Sequence, residues 1–297
     1  MAEAAAFNMS TAPSANEEAI RAWDGPLYDR FVQFRHLLTG GLAGHGDEAL
    51  RLHPPKAGER VLDVGCGFGD ATQQIAALVG PEGHALGVDA AERFIETARE
   101  ETATLGIANA SFEVADVQTG VPEGPFDMAF SRFGTMFFAN PVVALRNVRD
   151  ALVPGGRLVM VVWRTRTDNE WLYRAQTIVE RIVKRPDDYE EPTCGPGPFS
   201  MAGADTVSDV LLHAGYGEVA LRRCELPILI GVDLEEAIDM VMAMGPAGEI
   251  LRLLGDRAAH LHGTVREALR EGMADMVTPD GVMGSASTWI VSASAEA

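Results

Sequence analysis

Three glycines at alternate positions follow a short apolar run and an acid, in Val61-Leu62-Asp63-Val64-Gly65-Cys66-Gly67-Phe68-Gly69. The residues after them, Ala71 to Val79, have helical spacing. Strand, tight turn and helix in that order bring a backbone against a nucleotide at the carboxyl edge of a sheet. Spacing then separates the options. A dinucleotide fingerprint needs Gly-x-Gly-x-x-Gly. Counting from Gly65 puts Asp70 in the third glycine's place, which counts against a nicotinamide oxidoreductase. Asp63, two residues before the first glycine, suits a ligand carrying positive charge and would repel a pyrophosphate. Cys66, between two glycines, reads as a small packing residue rather than a nucleophile.

Further acids follow at ordered intervals. His84 to Asp89 reads as a second strand ending in a carboxylate, about 20 residues beyond the loop, where a ribose would be held. A carboxylate there can accept from both vicinal hydroxyls. Ser111 to Val117 carries Asp116. Pro125 to Ser131 and Leu158 to Trp163 read as two more strands, the second entered through Pro154-Gly155-Gly156. Each acid alone has an ordinary reading. Asp89 before Ala-Ala-Glu-Arg would serve as a helix N-cap, and Asp116 as a loop acid. Their order behind the glycine loop favours a binding row.

At these motifs, over roughly residues 57 to 230, the chain resembles the class I S-adenosylmethionine-dependent methyltransferases. Asp63, Gly65, Gly67 and Gly69 match the acid and alternating glycines of that family's first motif. The resemblance implies an α/β fold, a doubly wound, mostly parallel, seven-stranded Rossmann-like sheet. It implies S-adenosylmethionine as cofactor, held by Asp63, Gly65, Cys66, Gly67, Gly69, Asp89, Ala90, Asp116, Val117 and Ser131. Asp89 would take the ribose and Asp116 the adenine amino group. Within the family, the chain is similar to the small-molecule group that includes ubiquinone and menaquinone biosynthesis enzymes. The implied activity is methyl transfer to an O, N or C nucleophile of a small, partly apolar molecule. The alternative is a cofactor-binding sensor or accessory subunit without transfer activity.

Composition narrows the partners. The 297 residues carry a formal net charge of −19. Phosphate backbones need neutralising Lys and Arg, and no basic stripe is present, so nucleic acid and anionic membranes are poor partners. No apolar run approaches the ~18 residues of a membrane span. Met1 to Ala6 lacks the charge and apolar core of a secretory signal, so a cytoplasmic protein is expected. Cys66, Cys194 and Cys224 are scattered, which indicates neither a disulfide framework nor a zinc site. Asp168-Asn169 lies downstream of strand five, and Ser131 stands where metal-dependent catechol-type relatives carry an acid, so no metal is expected. Asp168 is read as a helix cap. Ser131-Arg132-Phe133-Gly134 also replaces the Asn/Asp-Pro-Pro-Tyr of enzymes acting on base amines.

The elements around the core divide as follows. Residues 1–16 form a flexible tail, and 17–56 an N-terminal helical lid broken at Gly25-Pro26 and ended at Gly40-Gly41. Residues 57–232 form the cofactor-binding core. Residues 233–278, two or three helices, are inserted as a substrate cap before a last strand in 279–297. Glu170 to Lys184 is amphipathic: Trp171, Ala175, Ile178 and Ile182 share a face, with Leu172 and Val179 beside it. Residues 185–199 form a Pro- and Gly-rich loop near the site. The insert carries Met240, Met242, Met244, Met273 and Met276, more than half of them expected as core and the rest as walls of an apolar chamber. Tyr28, Arg35, Phe133 and Trp163 are the substrate or lid candidates. His36, His260 and His262 are candidates for a general base, and the catalytic residue is otherwise unassigned. A homodimer is left open.

Overall fold

A computed structural model of the chain describes residues 15–183 and 196–296. The tail expected over 1–16 falls outside the described residues except for its last two positions, as do Cys194 and most of the loop at 185–199. The chain enters through α1 (Ala15–Ala22), α2 (Tyr28–Gln33) and α3 (Ala43–Leu52). Between α1 and α2 the backbone leaves helical geometry at Gly25 (φ −125°, ψ −113°), just before Pro26. This is the break read from the sequence.

Strands and helices then alternate: β1 (Arg60–Val64), α4 (Asp70–Val79), β2 (His84–Asp89), α5 (Glu92–Thr104), β3 (Ala110–Val114), β4 (Phe126–Arg132), α6 (Pro141–Asp150), β5 (Leu152–Trp163) and α7 (Glu170–Ile182). After the undescribed stretch come α8 (Ala204–His213) and the long β6 (Tyr216–Gly231). The insert supplies α9 (Leu234–Ala243), α10 (Gly245–Leu254), α11 (Asp256–Ala259) and α12 (His262–Gly272). The chain closes with β7 (Val277–Thr278) and β8 (Gly281–Ala295).

The sheet runs β3-β2-β1-β4-β5-β8-β6. Its first five strands are parallel, and β8 lies antiparallel to both β5 and β6. Leu62 of β1 pairs with Leu86 on one side and Ala129 on the other, and all three are buried. Such strands are covered on both faces, which is why they read as unbroken apolar runs. The sheet has one strand more than expected. Pro279-Asp280 turns β7 back onto β8, so that Val277 faces Val282 and Thr278 faces Gly281. Proline, aspartate and glycine in sequence are the residues such a turn uses.

Two other expectations change. The insert holds four helices, because a single turn, α11, follows Gly255 (φ 50°). On α7 the buried face is Trp171, Leu172, Ala175, Gln176 and Val179, with Ile178 turned aside. The reason is α12: a Cβ on Gly272 would lie 2.4 Å from Ile178 Cδ1, so Ile178 packs on the insert rather than on the sheet. Arg266 and Arg270 pair with Asp239 and Glu235 across the insert. Such exposed pairs add little, and buried Ile238, Ile250, Val265 and Leu269 hold it.

The N-terminal helices dock through aromatic rings. Trp23 meets Phe137 edge-on at 4.8 Å and Phe31 at 5.1 Å, and Tyr28 meets Phe94 at 4.9 Å. Each such pair adds about 0.5–1.5 kcal/mol beyond its burial.

His45 of α3 is fully buried, with Nδ1 2.9 Å from the Thr288 hydroxyl. Burial pushes its pKa down to about 4. Between pH 6.5 and 4 the unfolded chain therefore binds a proton that the folded ring refuses, so this residue's stabilisation is present above that window and lost within it. His45→Gln is expected to lose less stability than the wild type between pH 6.5 and 4.5, by at most about 1.4 kcal/mol per pH unit. Urea midpoints at the two pH values measure it, and equal slopes would mean that the buried ring protonates freely.

Candidate active site

The glycine loop joins β1 to α4 at the carboxyl edge of the sheet. Gly65 N and Cys66 N both donate to Val88 O, at 2.8 and 3.0 Å, which ties the loop to the end of β2. The three glycines do different things. Gly65 has φ 69°, and a Cβ there would sit 2.8 Å from Gly134 Cα, so the loop touches the turn after β4 backbone to backbone. Gly69 (φ 82°) would drive a Cβ to 2.6 Å from the Phe112 ring. Gly67 (φ 53°) would meet nothing nearer than Phe94 at 3.9 Å, and it lines a cavity. Gly65 and Cys66 line that cavity too, whereas Gly69 does not. Gly69 is a packing glycine, placed by the approach of β3 and α5.

The three acids of the expected binding row reach the same cavity, with Asp70 and Glu249 also on its walls. Asp63 is 1% exposed, and its Oδ2 accepts from the Thr72 hydroxyl at 2.6 Å. Burial pushes its pKa up to about 6, against the pull of that bond and of the nearby Arg132 charge. Asp89 accepts from Ala91 N at 3.0 Å through Oδ1 and from Gly67 N at 3.1 Å through Oδ2. The N-cap of α5 is Ala91, so Asp89 is a brace between β2 and the loop rather than the cap that its neighbours suggest. Burial raises its pKa as well. Asp116 accepts from Gln118 N at 3.0 Å and from the side-chain amide of Asn16 in α1. Asn16 and Gln118 also line the cavity, and no sequence pattern points to either.

The cavity has a volume of about 470 Å³ and continues past the loop into apolar walls. Phe133, held at φ 63°, stacks on Trp163 with centroids 4.6 Å apart and planes 27° from parallel. Both line the cavity, and so do Ala90 and Val117. Leu172 and Phe199 extend the wall, and Trp23 and Phe31 close it from the N-terminal side. Of the five insert methionines, Met240 and Met244 face this space, whereas Met273 and Met276 are buried elsewhere in the core. Met242 packs beside them.

Several candidates lie elsewhere. Ser131 is buried and donates to Val64 O at 2.7 Å, clamping β4 to β1 instead of lining the cavity. Tyr28 turns to the Thr97 hydroxyl (2.7 Å) and lies under Arg93, while Arg35 grips Glu101 at 2.7 Å and covers Phe68. Both therefore fasten the N-terminal helices to α5 and the loop. His36, His260 and His262 are exposed and off the cavity, and His36 stands 3.1 Å from Glu236. Asp168 pairs with Arg164 at 3.3 Å, and the N-cap of α7 is Asn169, so Asp168 is not the cap. Among the described residues no cluster of acids, histidines and cysteines could hold a metal ion.

Two tests separate these roles. Gly69→Ala is expected to cost about 2–4 kcal/mol of stability, from the ring clash and the left-handed backbone. Gly67→Ala is expected to cost only about 1–2 kcal/mol but to weaken binding of S-adenosylhomocysteine. Melting curves and calorimetry distinguish them, and equal stability losses would refute the division. Asp63→Asn removes a buried charge whose folded pKa is raised. It is expected to gain about 1–3 kcal/mol at pH 8, and the gain should vanish as pH falls through about 6 towards 4. A gain independent of pH would contradict this.

Residues 55–198 match the family described as Methyltransferase domain. The chain is 38% identical over 114 residues to the aklanonic acid methyltransferase of a Streptomyces species, covering 38% of this chain and 52% of that protein. It is 34% identical over 128 residues to the ubiquinone/menaquinone biosynthesis C-methyltransferase of Pseudomonas fluorescens, covering 42% and 50%. The chain thus spans about half the length of these curated relatives. The solved phosphoethanolamine N-methyltransferase 2 of Haemonchus contortus, in complex with S-adenosyl-L-methionine, shares the fold, with a TM-score of 0.56 at 15% identity over 97% of this chain and 61% of that one. Sequence, sheet order and glycine loop agree: residues 55–198, the greater part of the α/β core, are similar to the methyltransferase domain family and to the curated methyltransferases above.

Proposed function

We propose that this chain transfers a methyl group from S-adenosylmethionine to an O, N or C nucleophile of a small, largely apolar acceptor. The observation that carries this reading is the single cavity that joins the acid row of Asp63, Asp89 and Asp116 to the chamber of Phe133, Trp163, Met240 and Met244. A protein that only sensed the cofactor would have no use for the second half of that space. The two relatives named above, one acting on an acid and one a C-methyltransferase of quinone biosynthesis, fit the same acceptor class.

The cofactor, when bound, supplies a sulfonium methyl that is already activated. The chain's own residues hold and align. Asp89 keeps lone pairs free for ribose hydroxyls beyond its two backbone bonds. Asp116 offers its carboxylate to an amino group in place of the Asn16 amide. Phe133 and Trp163 present a flat face that orients a ring, and the docked N-terminal helices and the insert keep water out. Holding two reactants aligned is worth up to about 7–11 kcal/mol. None of the seven histidines lines the cavity. The acceptor class is therefore one that needs no histidine base: an amine, or a group that sheds its own proton readily, such as a carboxylic acid, a phenol or an activated C–H. No described helix is long and apolar enough to cross a membrane.

Calorimetry is expected to show binding of S-adenosylmethionine and S-adenosylhomocysteine and none of NAD. Tight NAD binding without either of the others would sink the reading. With S-adenosylhomocysteine present, hydrogen exchange is expected to slow in 15–33 and in 234–254, the segments that cover the cavity. Unchanged exchange in both would mean a fixed wall rather than a lid.

A further inference from the structure

Every acid that lines the cavity has a partner. Asp63 has Thr72, Asp70 has Arg35, Asp89 has two backbone amides, Asp116 has Gln118 and Asn16, and Glu249 has Arg252. Arg132 is the opposite case. It is the last residue of β4, it lines the cavity, and among the described residues its guanidinium donates no hydrogen bond and forms no ion pair. Its stem is pinned: a Cβ on Gly46 of α3 would lie 2.9 Å from Arg132 Cδ and 3.6 Å from Nη1. The next residue, Phe133, is locked in the left-handed region and stacked on Trp163. The charge is therefore held near the buried Asp63 carboxylate, whose pKa it pulls down, while among the described residues its donor fork has no acceptor. Arg30 of α2 also lines the cavity unpaired, but from the roof rather than from the sheet. A guanidinium presents its donors as a rigid fork that fits a carboxylate with two parallel bonds.

We infer that Arg132 is the binding site for a carboxylate inside the cavity. Two sources share that chemistry. One is the amino-acid end of the cofactor, which would set its carboxylate on Arg132 and its ammonium towards Asp63. The other is an acid group on the acceptor, standing against the Phe133–Trp163 stack. The first source rests on the methyltransferase reading; the second needs only the cavity.

The test uses the whole chain with Arg132→Gln, which removes the charge, and Arg132→Lys, which keeps the charge without the fork. The probes are S-adenosylhomocysteine, methylthioadenosine (the same nucleoside without the amino-acid end), and naphthoate against naphthamide. If the cofactor is the source, Arg132→Gln weakens S-adenosylhomocysteine at least tenfold, Arg132→Lys weakens it less, and methylthioadenosine binds unchanged. If the acceptor is the source, both nucleosides bind unchanged. The wild type, loaded with S-adenosylhomocysteine, then prefers naphthoate to naphthamide, and Arg132→Gln loses that preference. Identical affinities for all four probes in wild type and Arg132→Gln overturn the proposal. Failure of the methyltransferase reading looks different: the wild type then binds neither nucleoside, and the naphthoate preference of the unliganded protein still decides the role of Arg132. Should Arg132→Gln not fold, Arg132→Lys and the wild-type preference between naphthoate and naphthamide decide the same question.

Discussion

Asp63 lies one residue from the end of a strand that is buried on both faces, in the middle of five parallel strands. One threonine hydroxyl is its hydrogen-bond partner, and burial pushes its pKa up to about 6. A carboxylate in such surroundings lowers stability unless something positive comes near. The carboxyl edge is built around that charge. The backbone contact between Gly65 and Gly134 pulls the turn after β4 over the loop, and this brings Arg132 and Phe133 into the same space. Asp89 fixes the loop from the other side through Gly67 N. A less costly core residue at 63 would make a more stable sheet and a poorer site, the trade common at functional positions.

The cavity has two halves of different origin. The half around the glycine loop comes from consecutive residues of β1, β2 and their turns. The apolar half is assembled from α1, α2, α7, α9 and α10 and the turn after β4. The second half depends on packing that is not local. Rings on the N-terminal helices interlock with Phe94 and Phe137, and α7 is sandwiched against the insert. Ion pairs decorate these contacts, but apolar burial holds them. An apolar chamber formed this way can be recut by substitutions that leave the glycine loop untouched.

The roles that residue type alone left open share a cause. Helical spacing shows that Tyr28 and Arg35 lie on one face, but not that this face fastens the N-terminal helices to α5 and the loop. Strand alternation places Ser131 and Arg132 on opposite faces of β4, and only the neighbours decide which one reaches the cavity. Ser131 found a carbonyl on β1; Arg132 found open space. Asn16 and the buried His45 gave no signal at all, because each depends on a partner about a hundred or more residues away, Asp116 and Thr288.

Requirements that act within a few consecutive residues were written in the chain. Positive φ at 65, 67 and 69, an acid at or next to the end of each of two strands, Pro after Gly25 and the apolar runs of a doubly covered sheet all follow from backbone sterics and local hydrogen bonding. They determined the core fold, the cofactor class, and the places of Asp63, Gly67, Asp89 and Asp116. The eighth strand, the division of labour among the glycines, the partners of each acid and the shape of the apolar chamber were decided only by tertiary structure. The reason is that apolar burial is non-directional. It says which residues go inside, but which of them meet across a cavity depends on how every helix lies on the sheet.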